Sequence, residues 1–196
     1  MMMKKDCIFV GLHIVCLLLC ANCKQGTPKV VIQTSLGDIS AEIYIKQAPV
    51  TAGNFLSLVD SGFYNSGASF YRVVRDDNQP NNDVKIDVIQ GGLRQSHGKS
   101  LTPIRHETTL ETGLKHTDGA LSMARSAPGT ADAEFFICIG DQPELDFGGR
   151  RNPDGVGFAV FGRIIDGMDI VRKIQQQDDS NQSLVEPVLI ISIRRQ

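Results

Sequence analysis

From position 29 to its end the chain is made of short apolar runs rich in β-branched residues, each cut by glycine, asparagine, aspartate or proline before it grows long. No other feature restricts the fold as strongly. Runs this short favour strands, and the missing strand–helix–strand alternation excludes a parallel α/β sheet. A hairpin is predicted over 29–44: Val30, Val31 and Ile32 lead into Leu36-Gly37-Asp38, and Ile39, Ala41 and Ile43 alternate with Ser40, Glu42 and Tyr44. Such alternation puts one face on a core. Further strands are expected at 68–74, 85–90, 120–125, 134–140, 158–164 and 188–193. Only two stretches have helical spacing. The first opens at Pro49, which a first helical turn tolerates, runs through Ala52, Phe55, Leu56 and Val59, and stops near Gly62. The second covers 168–176, with Met168, Ile170, Val171 and Ile174 on one side. The expectation is one all-β domain over 29–196 with two helices, arranged as an antiparallel barrel or sandwich.

The opening segment is a different kind of sequence. Lys4 and Lys5 precede an apolar stretch over 8–20, interrupted by His13 and too short to span a bilayer comfortably. It reads as a secretory signal peptide over 1–23 followed by a polar linker over 24–28, with an uncleaved anchor as the other reading. A lipoprotein signal places small residues before the acylated cysteine. Cys20 follows three leucines whereas Cys23 follows Ala21-Asn22, so Cys23 is the better candidate for a lipid that would tether the chain to a membrane. Cys7, Cys16, Cys20 and Cys23 all lie here, which leaves Cys138 in an apolar run as a small buried hydrophobe and gives no disulfide framework. Export without disulfides suits a Gram-negative periplasm or a surface lipoprotein, and the periplasm is the expected compartment.

A formal net charge of -2 offers no basic field for nucleic acid. His97, His106 and His116 are too far apart for a local metal motif and are expected in solvated loops, so no metal or other cofactor is expected. The loop 92–100 mimics a phosphate-binding loop, but it has one residue too many between its glycines, and Thr102-Pro103 stands where a helix should start. No Gly-x-Ser-x-Gly elbow supports a serine hydrolase.

Four segments carry the remaining information: Phe70-Tyr71-Arg72-Val73-Val74, Val88-Ile89-Gln90-Gly91-Gly92, Ala120-Leu121-Ser122-Met123-Ala124-Arg125 and Glu134-Phe135-Phe136-Ile137-Cys138-Ile139. In this order they resemble the cyclophilin family of peptidyl-prolyl isomerases from about Val30 to the end. The resemblance implies a closed eight-stranded antiparallel barrel capped by a helix at either end. It also implies a monomer acting on proline-containing polypeptides without cofactor. Arg72 matches the catalytic arginine, Gln90 the glutamine that binds substrate backbone and orients it, and Phe136 the floor of the proline pocket. Val88, Ala124, Arg125, Glu134, Leu145 and Phe158 fall at substrate-lining positions.

Several of these depart from the family's pattern. The pocket Phe-Met pair becomes Asp87-Val88, an asparagine becomes Arg125, a glutamine becomes Glu134, the pocket histidine becomes Phe158, and a longer polar loop over 75–85 separates Arg72 from Gln90. An unpaired Asp87 carboxylate inside an apolar socket would be costly, so Asp87 is expected to turn outward or to pair with Arg72 or Arg125. Pairing of Glu134 with Arg125 across the rim is a further arrangement that the sequence leaves open. An active isomerase for exported proteins is the first reading. A module of the same barrel that holds proline-containing segments without turnover is the second, on the strength of Asp87, Arg125, Glu134 and Phe158.

Overall fold

The computed structural model describes residues 26–94 and 101–196. The signal segment 1–23, the start of the linker and the loop residues 95–100 with His97 lie outside the described residues. The elements in chain order are β1 (Lys29–Thr34), β2 (Gly37–Ile43), α1 (Pro49–Asp60), β3 (Ser69–Val74), β4 (Val88–Gly92), α2 (Thr109–Thr112), β5 (Ala120–Met123), β6 (Phe135–Cys138), β7 (Ala159–Asp166), α3 (Met168–Gln175), β8 (Asp179–Ser180) and β9 (Ser183–Arg195).

The strand order β1-β2-β7-β5-β6-β4-β3-β9 closes on itself through β1–β9 pairing, which leaves no edge within the eight-stranded barrel. The short β8 pairs only with β9, outside the ring. Both expected helices are present: α1 packs on β7 and β9, and α3 on β2, β3 and β4. The one-turn α2 is a third helix that apolar spacing could not reveal, because it depends on a cap. Thr108 Oγ1 accepts from the Glu111 N–H, and the Glu111 carboxylate accepts from the Thr108 N–H.

Alternation in β2 works as expected, with Ile39, Ala41 and Ile43 buried. The barrel interior is filled by Phe55 of α1 against Phe161 at 4.9 Å, with Tyr64, Phe70 and Phe135 around them. The strand expected from 85 starts only at Val88, and β9 starts five residues before the expected 188. Pro187 falls in the irregular stretch between the pairs Arg72–Ser183 and Phe70–Val188, where no ladder needs its missing N–H.

A second apolar cluster lies outside the barrel interior. Val74, Ile86, Val88, Phe136, Cys138, Leu145 and Val160 belong to it, with Ala124 and Phe158 packed against it. Phe135 therefore faces the barrel interior and Phe136 the outer cluster. Cys138 is fully buried there, and burial pushes its thiol well above the ordinary range.

Candidate active site

One row of cross-strand neighbours organises the site. Arg72 stands opposite Gln90, Gln90 opposite Phe136, Phe136 opposite Ser122, and Ser122 opposite Val160. Directly opposed residues share a face of the sheet, so a guanidinium, an amide and an aromatic ring line up on the outer wall of the barrel. β3 reaches this arrangement through a bulge. The register shifts between Phe70 and Arg72, so Phe70 enters the interior, Arg72 faces outward, and Tyr71 is the extra residue. Strict alternation would have put Phe70 and Arg72 on one face.

The nine residues nominated from sequence all line one groove of about 340 Å³, a size typical of small-ligand sites. Phe136 is its apolar floor, with Leu145, Val88, Ala124 and Phe158 beside it. Phe158 meets Phe136 edge-on at 5.2 Å. Ile86 completes the apolar wall, and Ser126, Thr130 and Asp132 form a polar margin; none of these four was singled out in sequence. Ile86 was within reach, since two-residue steps back from Gln90 pass through Val88 to Ile86.

Arg72 is half-buried, and that burial lowers its pKa from the free value without threatening its charge. Its Nη1–H donates to Gln90 Oε1 at 2.9 Å, while Nε–H and Nη2–H donate to Gln182 Oε1 at 3.1 and 2.6 Å. Each terminal nitrogen keeps one N–H for a ligand. Both partners are neutral amides, so they fix the guanidinium without cancelling its charge. Gln90 in turn donates from Nε2 to Tyr71 Oη at 2.8 Å.

The departures resolve individually. Asp87 does not line the groove: it accepts from Gln175 Nε2 of α3 at 3.2 Å, and burial together with Asp76 raises its pKa. Of the arrangements left open by the sequence, a pairing of Arg125 with Glu134 is not the one formed. Arg125 makes a two-pronged ion pair with Asp154 at 2.8 and 2.9 Å and donates to Gly157 O, with its guanidinium 5.0 Å above the Phe158 ring. Glu134 accepts from Tyr71 Oη at 2.7 Å and from the Arg94 N–H at 3.0 Å. Its carboxylate lies against Gly92, whose φ of +146° and lack of a Cβ leave the space.

The loop after β3 is tied down. Gln79 is buried and donates to Ile86 O at 2.7 Å, and Arg151 Nη1 donates to Gln79 Oε1 at 3.0 Å.

His116 is not a solvated loop residue. It is 1% exposed, with Nδ1 2.8 Å from Asp146 Oδ1 and Nε2 3.0 Å from Ser122 Oγ, and its ring stacks on Phe136 from behind the pocket. Burial lowers its pKa against the raising effect of Asp146, and a ring with Nδ1–H toward the carboxylate and Nε2 toward the hydroxyl satisfies both contacts. Among the described residues no cluster of three histidine, cysteine or acidic side chains is placed to hold a metal ion.

Comparison with known proteins decides the family. The sequence profile described as cyclophilin type peptidyl-prolyl cis-trans isomerase/CLD matches residues 29–195. The chain belongs to the cyclophilin family of peptidyl-prolyl cis-trans isomerases. A peptidyl-prolyl cis-trans isomerase of Acinetobacter baylyi is 36% identical to this cyclophilin over 98% of the chain and 96% of the relative. Peptidyl-prolyl cis-trans isomerase B of Escherichia coli is 38% identical over 74% of the chain and 83% of the relative. In three dimensions this cyclophilin resembles a crystal structure of a Cryptosporidium parvum cyclophilin type isomerase in the presence of the dipeptide Ala-Pro. The TM-score is 0.68 at 25% identity, over 86% of this chain and 98% of that one.

Proposed function

We propose that this cyclophilin speeds X-Pro isomerisation during the folding of exported polypeptides, with Arg72 as its catalytic group and a pocket adapted by Phe158, Glu134 and Arg125. The reaction is a rotation against a barrier of about 18–20 kcal/mol set by amide resonance. The proline ring packs on Phe136 between Leu145, Val88, Ile86 and Phe158. As the amide twists, conjugation is lost and the prolyl nitrogen regains a lone pair, toward which Arg72 directs its remaining N–H groups. That interaction is stronger in the twisted state than in either planar isomer, which is the condition for rate acceleration. Gln90 holds the guanidinium at its Nη1 edge, and Glu134 supplies an acceptor at the rim.

The observation that carries this reading is a guanidinium held only by neutral amides at the mouth of an apolar pocket. The test is a coupled isomerisation assay on short X-Pro peptides with purified protein. Acceleration that survives a chelator is expected; no acceleration over background across several peptides would reject it. Export is supported by Lys4, Lys5 and the apolar stretch over 8–20. Mass spectrometry of the protein from a periplasmic fraction should find an N-terminus at or beyond Cys23, with a lipid on Cys23 if the chain is tethered. A full-length cytoplasmic chain would refute export. Sedimentation should give a monomer.

A further inference from the structure

The hairpin joining β8 to β9 turns through Asn181 and Gln182, with Ser180 paired to Ser183 on either side. Both turn residues have positive φ, 50° and 70°. A two-residue turn of this kind suits Asn-Gly, because asparagine tolerates the left-handed region and glycine is free in it. Gln182 is neither, so its backbone is held where an L-residue with a long side chain is disfavoured. Such a residue persists when its surroundings hold it there.

The Gln182 N–H donates to Asp179 Oδ2 at 2.9 Å, and its carbonyl accepts from the Val73 N–H at 2.9 Å. Its side-chain Nε2 donates to Asn78 O at 3.1 Å. With the amide locked at that end, Oε1 can only face Arg72, where it accepts from both Nε and Nη2. Gln90 grips the same guanidinium at Nη1, from the opposite strand. A planar fork held at two edges has no rotation left about its last bond; held at Nη1 alone, it swings.

We propose that Gln182 is a positioning residue for isomerisation: it orients the Arg72 guanidinium toward the prolyl nitrogen, and the unfavourable turn backbone is tolerated for that contact. This rests on the reading of Arg72 as the catalytic group. A merely structural turn residue predicts no loss of rate that depends on Arg72, which separates the two.

The experiment compares Gln182→Gly and Gln182→Met, each alone and combined with Arg72→Ala. Peptide exchange rates and affinity are measured by NMR, and stability by thermal unfolding. Gln182→Gly relieves the backbone, so it should melt at or above the wild-type temperature while kcat falls about tenfold and peptide affinity stays within about twofold. Gln182→Met keeps the side-chain length but lacks the acceptor, and should show the same loss in kcat. In the Arg72→Ala background neither change should lower the residual rate further, because the group being positioned is gone. Full activity in both single variants overturns the proposal. So does a lowered melting temperature in Gln182→Gly with a rate loss that persists without Arg72. If Arg72→Ala itself matches wild type, the catalytic reading of Arg72 falls and takes this proposal with it, a result distinct from an effect missing only at Gln182.

Discussion

Tyr71 Oη donates to Glu134 Oε2 at 2.7 Å and accepts from Gln90 Nε2, so a carboxylate on one side of the groove is wired through a phenol and an amide to Arg72 on the other. Burial raises the Glu134 pKa above 4.5, against the lowering effect of the Tyr71 and Arg94 donors. A carboxyl whose folded pKa is raised binds its proton more tightly in the native state. Its contribution to stability is fully present below pH 4.5 and is lost as pH rises through the folded value. The unfolding free energy of wild type minus that of Glu134→Gln should therefore decline with rising pH across that window and level off above it. Denaturant titrations at a series of pH values check this; a difference that rises with pH would refute the burial argument.

Arg72→Ala should leave the fold intact, since its side chain lies outside the barrel interior. A charged hydrogen bond to the twisted amide is worth about 1.5–3 kcal/mol, so kcat should fall on the order of ten- to several-hundred-fold. Peptide affinity should change far less, because the apolar pocket holds the ring. Arg72→Lys should recover part of the loss, as a point charge lacks the planar fork. Equal losses in affinity and rate would make Arg72 a plain binding residue.

Arg125 uses its guanidinium on Asp154 and Gly157 while covering Phe158, which makes it a brace for the pocket wall. Arg125→Ala should cost about 1.5–3 kcal/mol of stability and weaken peptide binding several-fold, with kcat nearly unchanged. Isothermal titration with an X-Pro peptide, alongside the exchange rate, separates the two. A collapse in kcat at unchanged affinity would instead assign Arg125 a role in the rotation step.

Glu107 sits at the N-terminus of α1, 2% exposed, accepting from the Val50 N–H at 3.1 Å and from the Thr51 N–H and hydroxyl at 2.7 Å each. Helix starts carry unpaired N–H groups and a partial positive charge, and Ala48 offers no side-chain cap. Glu107→Ala strands those donors and should cost about 2–4 kcal/mol, a fall in melting temperature of roughly 5–15 °C, with activity retained at low temperature. A melting temperature within a degree or two of wild type would show that water replaces the carboxylate.

Much of this was readable along the chain, for a definite reason. Barrel strands repeat every two residues and helices every three to four, and these periods survive in Ile39, Ala41 and Ile43 and in Ala52, Phe55, Leu56 and Val59 without knowledge of any partner. The resemblance carried by the four motif segments likewise placed Arg72, Gln90 and Phe136 together, although their strands lie side by side in the order β3-β4-β6-β5 and not in chain order.

What lay beyond the sequence depended on events between distant segments. The bulge at Tyr71 separates the faces of Phe70 and Arg72, and no local pattern marks it, since it arises from how β3 meets β4 and β9. The apolar run that contains Phe135 and Phe136 could send either ring inward, and only the pairing of Gln90 with Phe136 decides it. Asp87 turns to Gln175, Arg125 to Asp154, His116 to Asp146, and Gln182 to Arg72 across more than a hundred residues of chain. A sequence records which polar groups exist and how they are spaced. Which of them meet is decided when the barrel closes, because every buried donor and acceptor must then find a partner among whatever the topology brings near.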